Sequence, residues 1–487
     1  MEIPKDRLAT TDEFGDRVYI YPAEANGFWR KHRNWTQSLL VLIFLVLPWI
    51  KLGGEQAVLL SIPERRFAFF GLILYAHDGP LIFFVLAMAV FGLAFITAVW
   101  GRIWCGWACP QTVFIDGAFR KIETWIEGNH LQRRQLDAGP MTLNKIIKKT
   151  IKWLSFFILS TIIAHSFTAY FVGSERLAQM SLQSPSDNWV DFLIVFFITF
   201  VILFDFGWFR EQFCFIMCPY GRFQSVLMDQ HSLAVMYDEK RGEPRKGSSA
   251  ATVSGQSGDC VSCQRCIMVC PTGIDIRRGI QMECINCTAC IDACDEIMEK
   301  VKKPKGLIRY SSIAQSEGKP QQWFNFRRVF YFALIALAFI GLVYKLTMRS
   351  PLRAEVLRVV GAPYRLLDGS EQGMVINQFK LHLQNQYSVP FKVRFEIVKE
   401  NPDVPISMIE QTHELNILPG ELTNHFLFIK FHQNLTKGLG QKDVQIKIIY
   451  ESNTSSNGNS HNKDAHPNDH EIEKTLKLLG PANPLPQ

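Results

Sequence analysis

Cys260-Val-Ser-Cys263-Gln-Arg-Cys266-Ile-Met-Val-Cys270-Pro271 is followed, a short loop later, by Cys284-Ile-Asn-Cys287-Thr-Ala-Cys290-Ile-Asp-Ala-Cys294. Each half reads C-x2-C-x2-C-x3-C. A cubane iron–sulfur cluster needs four thiolates around it, and this spacing supplies them twice. Three closely spaced cysteines wrap one cluster, and the fourth leaves on a short helix to reach the other. By that crossover, Cys260, Cys263, Cys266 and Cys294 are expected to hold one [4Fe-4S] cluster, and Cys284, Cys287, Cys290 and Cys270 the second. The proline that follows the first half, Pro271, is replaced after the second by Asp295, a position that is not a ligand. Zinc ribbons use paired C-x2-C knuckles rather than triples, which argues against zinc. The doubled register argues against disulfides.

The chain around this stretch has 487 residues, enough for two to four domains. Hydrophobic residues make up 48% and charged residues 20%, a balance that suggests a membrane protein with sizeable soluble parts. The formal charge of +7 is small for the length, and no basic tract with interleaved aromatics suggests a nucleic-acid partner. All 12 cysteines precede residue 300, so the C-terminal part has no disulfide framework. The thiols fit a reducing compartment.

Met1 to Trp35 is polar and of mixed charge, with no short apolar region and cleavage site, so no signal peptide is expected. About five apolar runs approach the length of a bilayer span: Thr36 to Leu52, Pro80 to Trp100, Ile151 to Val172, Trp189 to Phe209 and Val329 to Met348. Ala57 to Tyr75 is apolar but interrupted at Pro63 to Arg66, and reads as an interfacial or re-entrant segment, less readily as a sixth span. Basic residues cluster in the N-terminal segment and in the loop after the second run, whereas Gly173 to Asn188 carries only Arg176. That bias puts the first two regions in the cytoplasm. Five spans then leave the iron–sulfur insert cytoplasmic and the C-terminal region outside. The expected domains are a cytoplasmic segment (1–35), a membrane domain (36–230), a two-cluster α+β insert (231–325), a last span (326–350) and an extracytoplasmic domain (351–487).

From Val356 the pattern turns to period two. Val375 to Leu383, Phe391 to Val398, His425 to Phe431 and Val444 to Tyr450 alternate, separated by Gly, Pro and Asn, as in a β-sandwich. Thr475 to Leu479 is a candidate last strand. Ser452 to Asp469 reads as a solvated, disordered excursion, its His461 and His466, with His470, a weaker candidate for catching a metal.

The remaining cysteines form a second repeat, Trp104-Cys105-Gly-Trp-Ala-Cys109-Pro110-Gln111 and Phe213-Cys214-Phe-Ile-Met-Cys218-Pro219-Tyr220. Each C-x3-C-P follows the cytoplasmic end of a span, and each is preceded by an arginine, Arg102 or Arg210. Two spans plus this motif therefore occur twice, as in a pseudo-symmetric four-helix bundle. The residue before proline avoids the helical region, so Cys109 and Cys218 should end a turn and each proline should open the next helix. A helix N-terminus favours thiolate, and thiolates suit copper(I). A redox dithiol or copper site, an extra metal cluster and inert buried thiols are the alternatives. His165, inside the third run, is a candidate for an interhelical hydrogen bond or, less readily, a metal ligand. Asp205 reads as a cap or an arginine partner, and His77 as a surface residue.

The stretch Trp208-Phe-Arg-Glu-Gln-Phe-Cys214-Phe-Ile-Met-Cys218-Pro-Tyr-Gly-Arg-Phe-Gln224 resembles the signature of the CcoG/FixG/RdxA family, accessory proteins of cbb3-type cytochrome c oxidase. So do Tyr237-Asp-Glu-Lys-Arg-Gly-Glu-Pro-Arg245, Cys270-Pro-Thr-Gly-Ile-Asp-Ile276 and Gly306-Leu-Ile-Arg-Tyr310. The resemblance runs from about Tyr19 to Gly480. It implies an α-helical membrane bundle, a cytoplasmic ferredoxin-like insert and a C-terminal immunoglobulin-like β-sandwich in the periplasm, all in a bacterial inner membrane. It implies an electron-transfer protein that reduces copper(II) during oxidase assembly. Two [4Fe-4S] clusters would form the relay, and Cys105, Cys109, Cys214 and Cys218 would be the catalytic, copper-proximal thiols. Its partners would be membrane lipid, copper, the oxidase assembly machinery and an electron donor that the sequence does not name. NapH and NosR type membrane ferredoxins share the C-x3-C-P repeat, so an electron-transfer subunit of a respiratory chain is the alternative. A non-catalytic assembly chaperone is another. No C-x2-C-H haem site and no Rossmann glycine fingerprint is present.

Overall fold

The computed structural model describes residues 10–11, 14, 16–52, 55–64, 66–75, 78–247, 257–359, 361–367, 373–386, 389–398, 406–410, 414–418, 420–452 and 470–482. The chain forms two compact units. One comprises Met1–Gly71 and Tyr75–Tyr344, the other Leu72–Leu74 and Lys345–Gln487.

In the first unit, helix α1 (Phe28–Val46) opens with a basic turn and becomes apolar only in its second half. Strands β1 (Val58–Ser61) and β2 (Arg66–Phe69) pair as an antiparallel hairpin; β3 (Leu72–Tyr75) follows in sequence, its Leu72–Leu74 belonging to the second unit. The stretch Ala57 to Tyr75 therefore folds as short strands, not as a re-entrant or spanning helix. Pro63 breaks the run, and its β-branched and aromatic residues favour strands. Helix α2 (Gly79–Trp100) leads into the short α3 (Ile103–Trp107), α4 (Pro110–Phe114), a π-helical turn (Ile115–Phe119) and α5 (Arg120–Glu127). Helices α6 (Leu143–Val172) and α7 (Trp189–Ile202) follow, α7 being prolonged by a π-helical segment to Phe209. Helix α8 (Pro219–Leu227) precedes the ferredoxin-like insert, which contains β4 (Ala234–Tyr237), α9 (Arg265–Met268), α10 (Ala289–Lys300) and β5 (Ile308–Ser311). Helix α11 (Phe326–Thr347) leaves it.

Among the described residues, four helices are long and apolar enough to cross a membrane: Gly79–Trp100, Leu143–Val172, Trp189–Phe209 and Phe326–Thr347. The fifth expected run, Thr36 to Leu52, falls in α1, which ends at Val46 and gives way to a short 3-10 turn. Apolar side chains such as Phe83, Leu86, Phe197 and Phe339 stand exposed on the four long helices. Aqueous solvent would penalise that arrangement and lipid would not.

The second unit is a two-sheet sandwich. One sheet joins β6 (Leu352–Arg358), β7 (Arg365–Leu366), β8 (Met374–Asn385), β10 (Ile406–Glu410) and β12 (Leu422–His432), with β8 central. The other runs β11 (Leu415–Ile417), β9 (Phe391–Ile397), β13 (Gln441–Ser452) and β14 (His470–Leu479). Inward residues alternate, so Val375, Phe379, Leu381 and Leu383 meet Val393, Ile446, Ile448 and Leu478 in one core. Buried Asn377 ties the sheets by exchanging hydrogen bonds with the Leu479 backbone. The expected excursion, with His461 and His466, lies outside the described residues apart from Ser452, as does His77; His470 starts β14.

Candidate metal centres and the thiol repeat

In both halves of the ferredoxin-like insert the middle cysteine is flanked by two residues in the left-handed region: Ser262 and Gln264 around Cys263, Asn286 and Thr288 around Cys287. None is glycine, and a β-branched threonine there is strained. The turns wrap the backbone around two separate cavities. One is lined by Cys260, Cys263, Cys266 and Cys294, the other by Cys270, Cys284, Cys287 and Cys290, with Cys266 shared. The fourth cysteine of each set arrives from the opposite half, Cys270 after α9 and Cys294 on α10. Burial pushes the Cys266, Cys284 and Cys294 thiols up to about 12 and Cys270 up to about 11. Thiols of this kind ionise when a metal supplies the compensating charge. Four sulfurs around each cavity fit a [4Fe-4S] cluster.

The stretches around these cavities serve them. Tyr237 lines the first cavity, and Lys246 donates its backbone N–H to the Cys260 carbonyl at 2.9 Å. Thr272 Oγ1 lies 3.2 Å from Cys270 Sγ. Asp275 caps the turn after it and pairs with Arg277 at 2.7 Å.

The C-x3-C-P repeat is also a repeat of conformation. Helix α2 ends at Gly101 (φ 57, ψ −125) and the π-helical extension of α7 ends at Arg210 (φ 54, ψ −128), each four residues before a cysteine. Gly101 thus corresponds to Arg210, and the two arginines that precede the motifs are not equivalent. Arg102 reaches the ferredoxin-like insert, donating to the carbonyls of Met282 and Cys284. Arg210 instead turns into a buried charge cluster, with both terminal nitrogens on Glu123 at 3.1 and 3.2 Å. Arg133 and Lys152 also hold Glu123, at 3.0 and 3.6 Å, and these cations keep its carboxyl well below the usual range despite burial.

Cys109 and Cys218 are extended, and Pro110 and Pro219 open α4 and α8. The two motifs converge: all six pairs among Cys105, Cys109, Cys214 and Cys218 are near enough to interact electrostatically. Gln224 Nε2 donates to Cys105 Sγ at 2.9 Å. Gln111, just after Pro110, donates to Asp205 at 2.8 Å and to the Arg210 carbonyl at 3.1 Å, joining one repeat to the other. Asp205 therefore takes an amide, not an arginine. Burial outweighs the helix end, and the Cys105 thiol is pushed up to about 11, with Cys109 and Cys214 also raised. Among the described residues, no three His, Cys, Asp or Glu side chains stand as a ready single-ion site. His165 Nδ1 pairs with the Thr161 carbonyl of its own helix at 2.8 Å.

The thiol repeat abuts the second cysteine set. Cys105 packs into the core formed by Ile285, Cys287, Ala289 and Ala293. Gly106 lies so close to the Ile285 and Asn286 backbone that a Cβ there would stand 2.5 Å from the Ile285 oxygen. Trp107, between Cys105 and Cys109, contacts Trp29, which contacts Tyr310, and Tyr310 donates to the Asn286 carbonyl. Asp292 of α10 accepts the N–H groups of Trp29 and Arg30, capping α1. None of these joints is signalled by sequence spacing.

Three family profiles match the chain: a 4Fe-4S dicluster domain over 209–313, a 4Fe-4S binding domain over 81–129 and an immunoglobulin-like fold at the C-terminus of FixG over 342–465. Protein RdxB of Cereibacter sphaeroides is 33% identical over 415 residues, covering 82% of this chain and 86% of that protein. Protein RdxA of the same organism is 33% identical over 388 residues, 76% of this chain and 80% of that protein. The nitrogen fixation protein FixG of Rhizobium meliloti is 39% identical over 308 residues, 61% of this chain and 58% of that protein. With its iron–sulfur domains, apolar helices and C-terminal immunoglobulin-like domain, the chain belongs to the FixG/RdxA/RdxB family of membrane iron–sulfur electron-transfer proteins.

Proposed function

We propose that the protein reduces copper(II) to copper(I) for assembly of a cbb3-type cytochrome c oxidase. One observation carries this reading: four soft thiols from two repeats converge beside the second ferredoxin cysteine set. Cys260, Cys263, Cys266 and Cys294 hold one [4Fe-4S] cluster, and Cys270, Cys284, Cys287 and Cys290 the other. When bound, the clusters supply one-electron chemistry, and copper(II) takes one electron in becoming copper(I). Cys105, Cys109, Cys214 and Cys218 are the copper-proximal groups, since soft sulfur favours copper(I). Burial raises the Cys105, Cys109 and Cys214 thiols, so binding the ion as thiolate releases protons. Gln224 orients Cys105, while Gln111 and Asp205 hold the two repeats together.

The basic residues in the loop between α2 and α6 support a cytoplasmic side for that loop; α6 and α7 then return the chain to the same side for the ferredoxin-like insert, and α11 carries the sandwich to the periplasm as the surface for the oxidase assembly machinery. A reporter enzyme fused at Ser452 should be active only if it works outside the cytoplasm. The test of the main reading is chemical. Anaerobically purified protein should contain about eight iron and eight sulfide per chain, and after dithionite reduction it should convert copper(II) to copper(I). About four iron with zinc present would overturn the two-cluster assignment, and no copper(I) would overturn the reductase.

A second reading has its own support. The 4Fe-4S binding domain profile over 81–129 encloses Cys105 and Cys109. This favours a further cluster on the four repeat thiols, in an electron-transfer subunit of the NapH/NosR kind. About twelve iron per chain would select it.

A further inference from the structure

Where the start of α1 meets α5, α6 and the ferredoxin loops, a cavity of about 630 Å³ opens. Arg30, Arg33, Arg120, Lys121 and Arg133 line it, against only Glu24 and Asp116 among the acids. Asp116 is already engaged by Arg33 and Arg120, and Arg133 by Glu123. The charged groups of Arg30 and Lys121 have no hydrogen-bond or ion-pair partner among the described residues. The Lys121 ammonium is held below its ordinary value, first by burial and then by the neighbouring Arg30 charge. Arg30 is half-buried and Lys121 exposed, whereas the Nε groups of Arg120 and Arg133 are buried without a partner. Buried donors left unpaired cost free energy, and like charges brought together around one space add to that cost. A ligand with several anionic acceptor oxygens relieves both, and guanidinium forks match phosphate in geometry.

The position of the cavity adds a second argument. Trp125, in its lining, is 91% exposed. Leu143, Ile146, Ile147 and Ile151 form an exposed apolar face at the N-terminal end of the membrane-length helix α6. Amphipathic rings and apolar faces of this kind mark the headgroup level of a bilayer, and basic pockets there take lipid phosphates. Leu159, Val269 and Ala289 supply apolar lining for the rest of the ligand.

We propose that this cavity binds a phosphate-bearing anion, a lipid headgroup or a soluble phosphate ester, between Arg30 and Lys121. Among the described residues, neither lines the two cysteine cavities or makes a direct ion pair, although the Arg30 charge helps hold the buried Asp116 carboxylate, so iron content and unfolding midpoint are measured beside binding.

The test uses full-length, cluster-loaded protein in detergent, delipidated and followed by native mass spectrometry. Phosphatidylglycerol and phosphatidylcholine with the same acyl chains are added in separate arms; inorganic phosphate and a nucleoside monophosphate form a third. Preferential retention of phosphatidylglycerol assigns a lipid headgroup; retention of the nucleotide or phosphate assigns a soluble ester. In either case Arg30→Gln and Lys121→Gln should each weaken binding about fivefold, with wild-type iron content, and Lys121→Arg should restore it. Equal retention of both lipids with no bound phosphate overturns the site, as do variants that bind like wild type.

Discussion

Replacing Gly106 by alanine tests the joint between the thiol repeat and the ferredoxin-like insert. The added Cβ would lie 2.5 Å from the Ile285 oxygen and 2.8 Å from the Asn286 oxygen. Non-bonded contacts are most favourable near about 3.5 Å, so the two backbones must part by roughly 1 Å. Neither partner is a flexible side-chain tip. Overpacking of this kind costs about 1–3 kcal/mol, a factor of about 5 to 150 in how often the joint is closed. The cysteines themselves are untouched, so iron content should stay at the wild-type value. Chemical denaturation, followed by cluster absorbance, should show the loss of stability, and the initial rate of copper(II) reduction should fall. Gly117→Ala is the control, because its Cβ would meet nothing closer than 3.5 Å. If Gly106→Ala keeps both stability and copper rate at the wild-type level, the thiol repeat does not depend on contact with Ile285 and Asn286, and the argument from that contact fails.

Three further outcomes follow from named contacts. Asp292→Ala removes the charged cap from α1, where Trp29 and Arg30 donate, and should cost about 1–2 kcal/mol in denaturant unfolding. Glu123→Gln leaves Arg210, Arg133 and Lys152 around a neutral group in a site only 2% exposed and should destabilise by about 3–5 kcal/mol, read as lost expression or a lowered unfolding midpoint. The Cys105 thiol, pushed up to about 11 by burial, should alkylate in copper-free protein with a midpoint near that pH. The ordinary midpoint is about 8.5. Because the folded protein holds this proton while the unfolded chain has lost it, Cys105 lowers copper-free stability as pH rises from about 8.5 towards about 11.

The eight ferredoxin cysteines are legible from spacing alone, because a cubane cluster fixes how far apart its ligands stand along the chain. The sandwich strands are legible for a similar reason: Val375 to Leu383 alternates because one face must meet a core. The duplicated C-x3-C-P can be read as a repeat, and counting back from its cysteines sets the register: Arg102 stands three residues before Cys105 and Arg210 four before Cys214. The shared backbone bend at Gly101 and Arg210 agrees with that alignment, while the different partners of the two arginines have no local signal. Asp205 finds Gln111 because the two repeats face each other, a tertiary fact without a local signal. The same holds for Gly106, which is one glycine among 32 until Ile285 and Asn286 are placed beside it. Ala57 to Tyr75 has the hydrophobicity of a membrane segment, but Pro63 marks the turn between β1 and β2.

The most direct test of the account is a single-turnover experiment on a variant with Cys105, Cys109, Cys214 and Cys218 all changed to serine. Serine keeps the size but removes the soft ligand. Wild-type and variant protein are reduced with dithionite, freed of excess reductant and mixed anaerobically with copper(II), while EPR follows the clusters and a chelator reports copper(I). The account predicts that the variant retains both cluster signals yet forms copper(I) far more slowly than wild type. Copper(I) formation at the wild-type rate by the four-serine protein would contradict it.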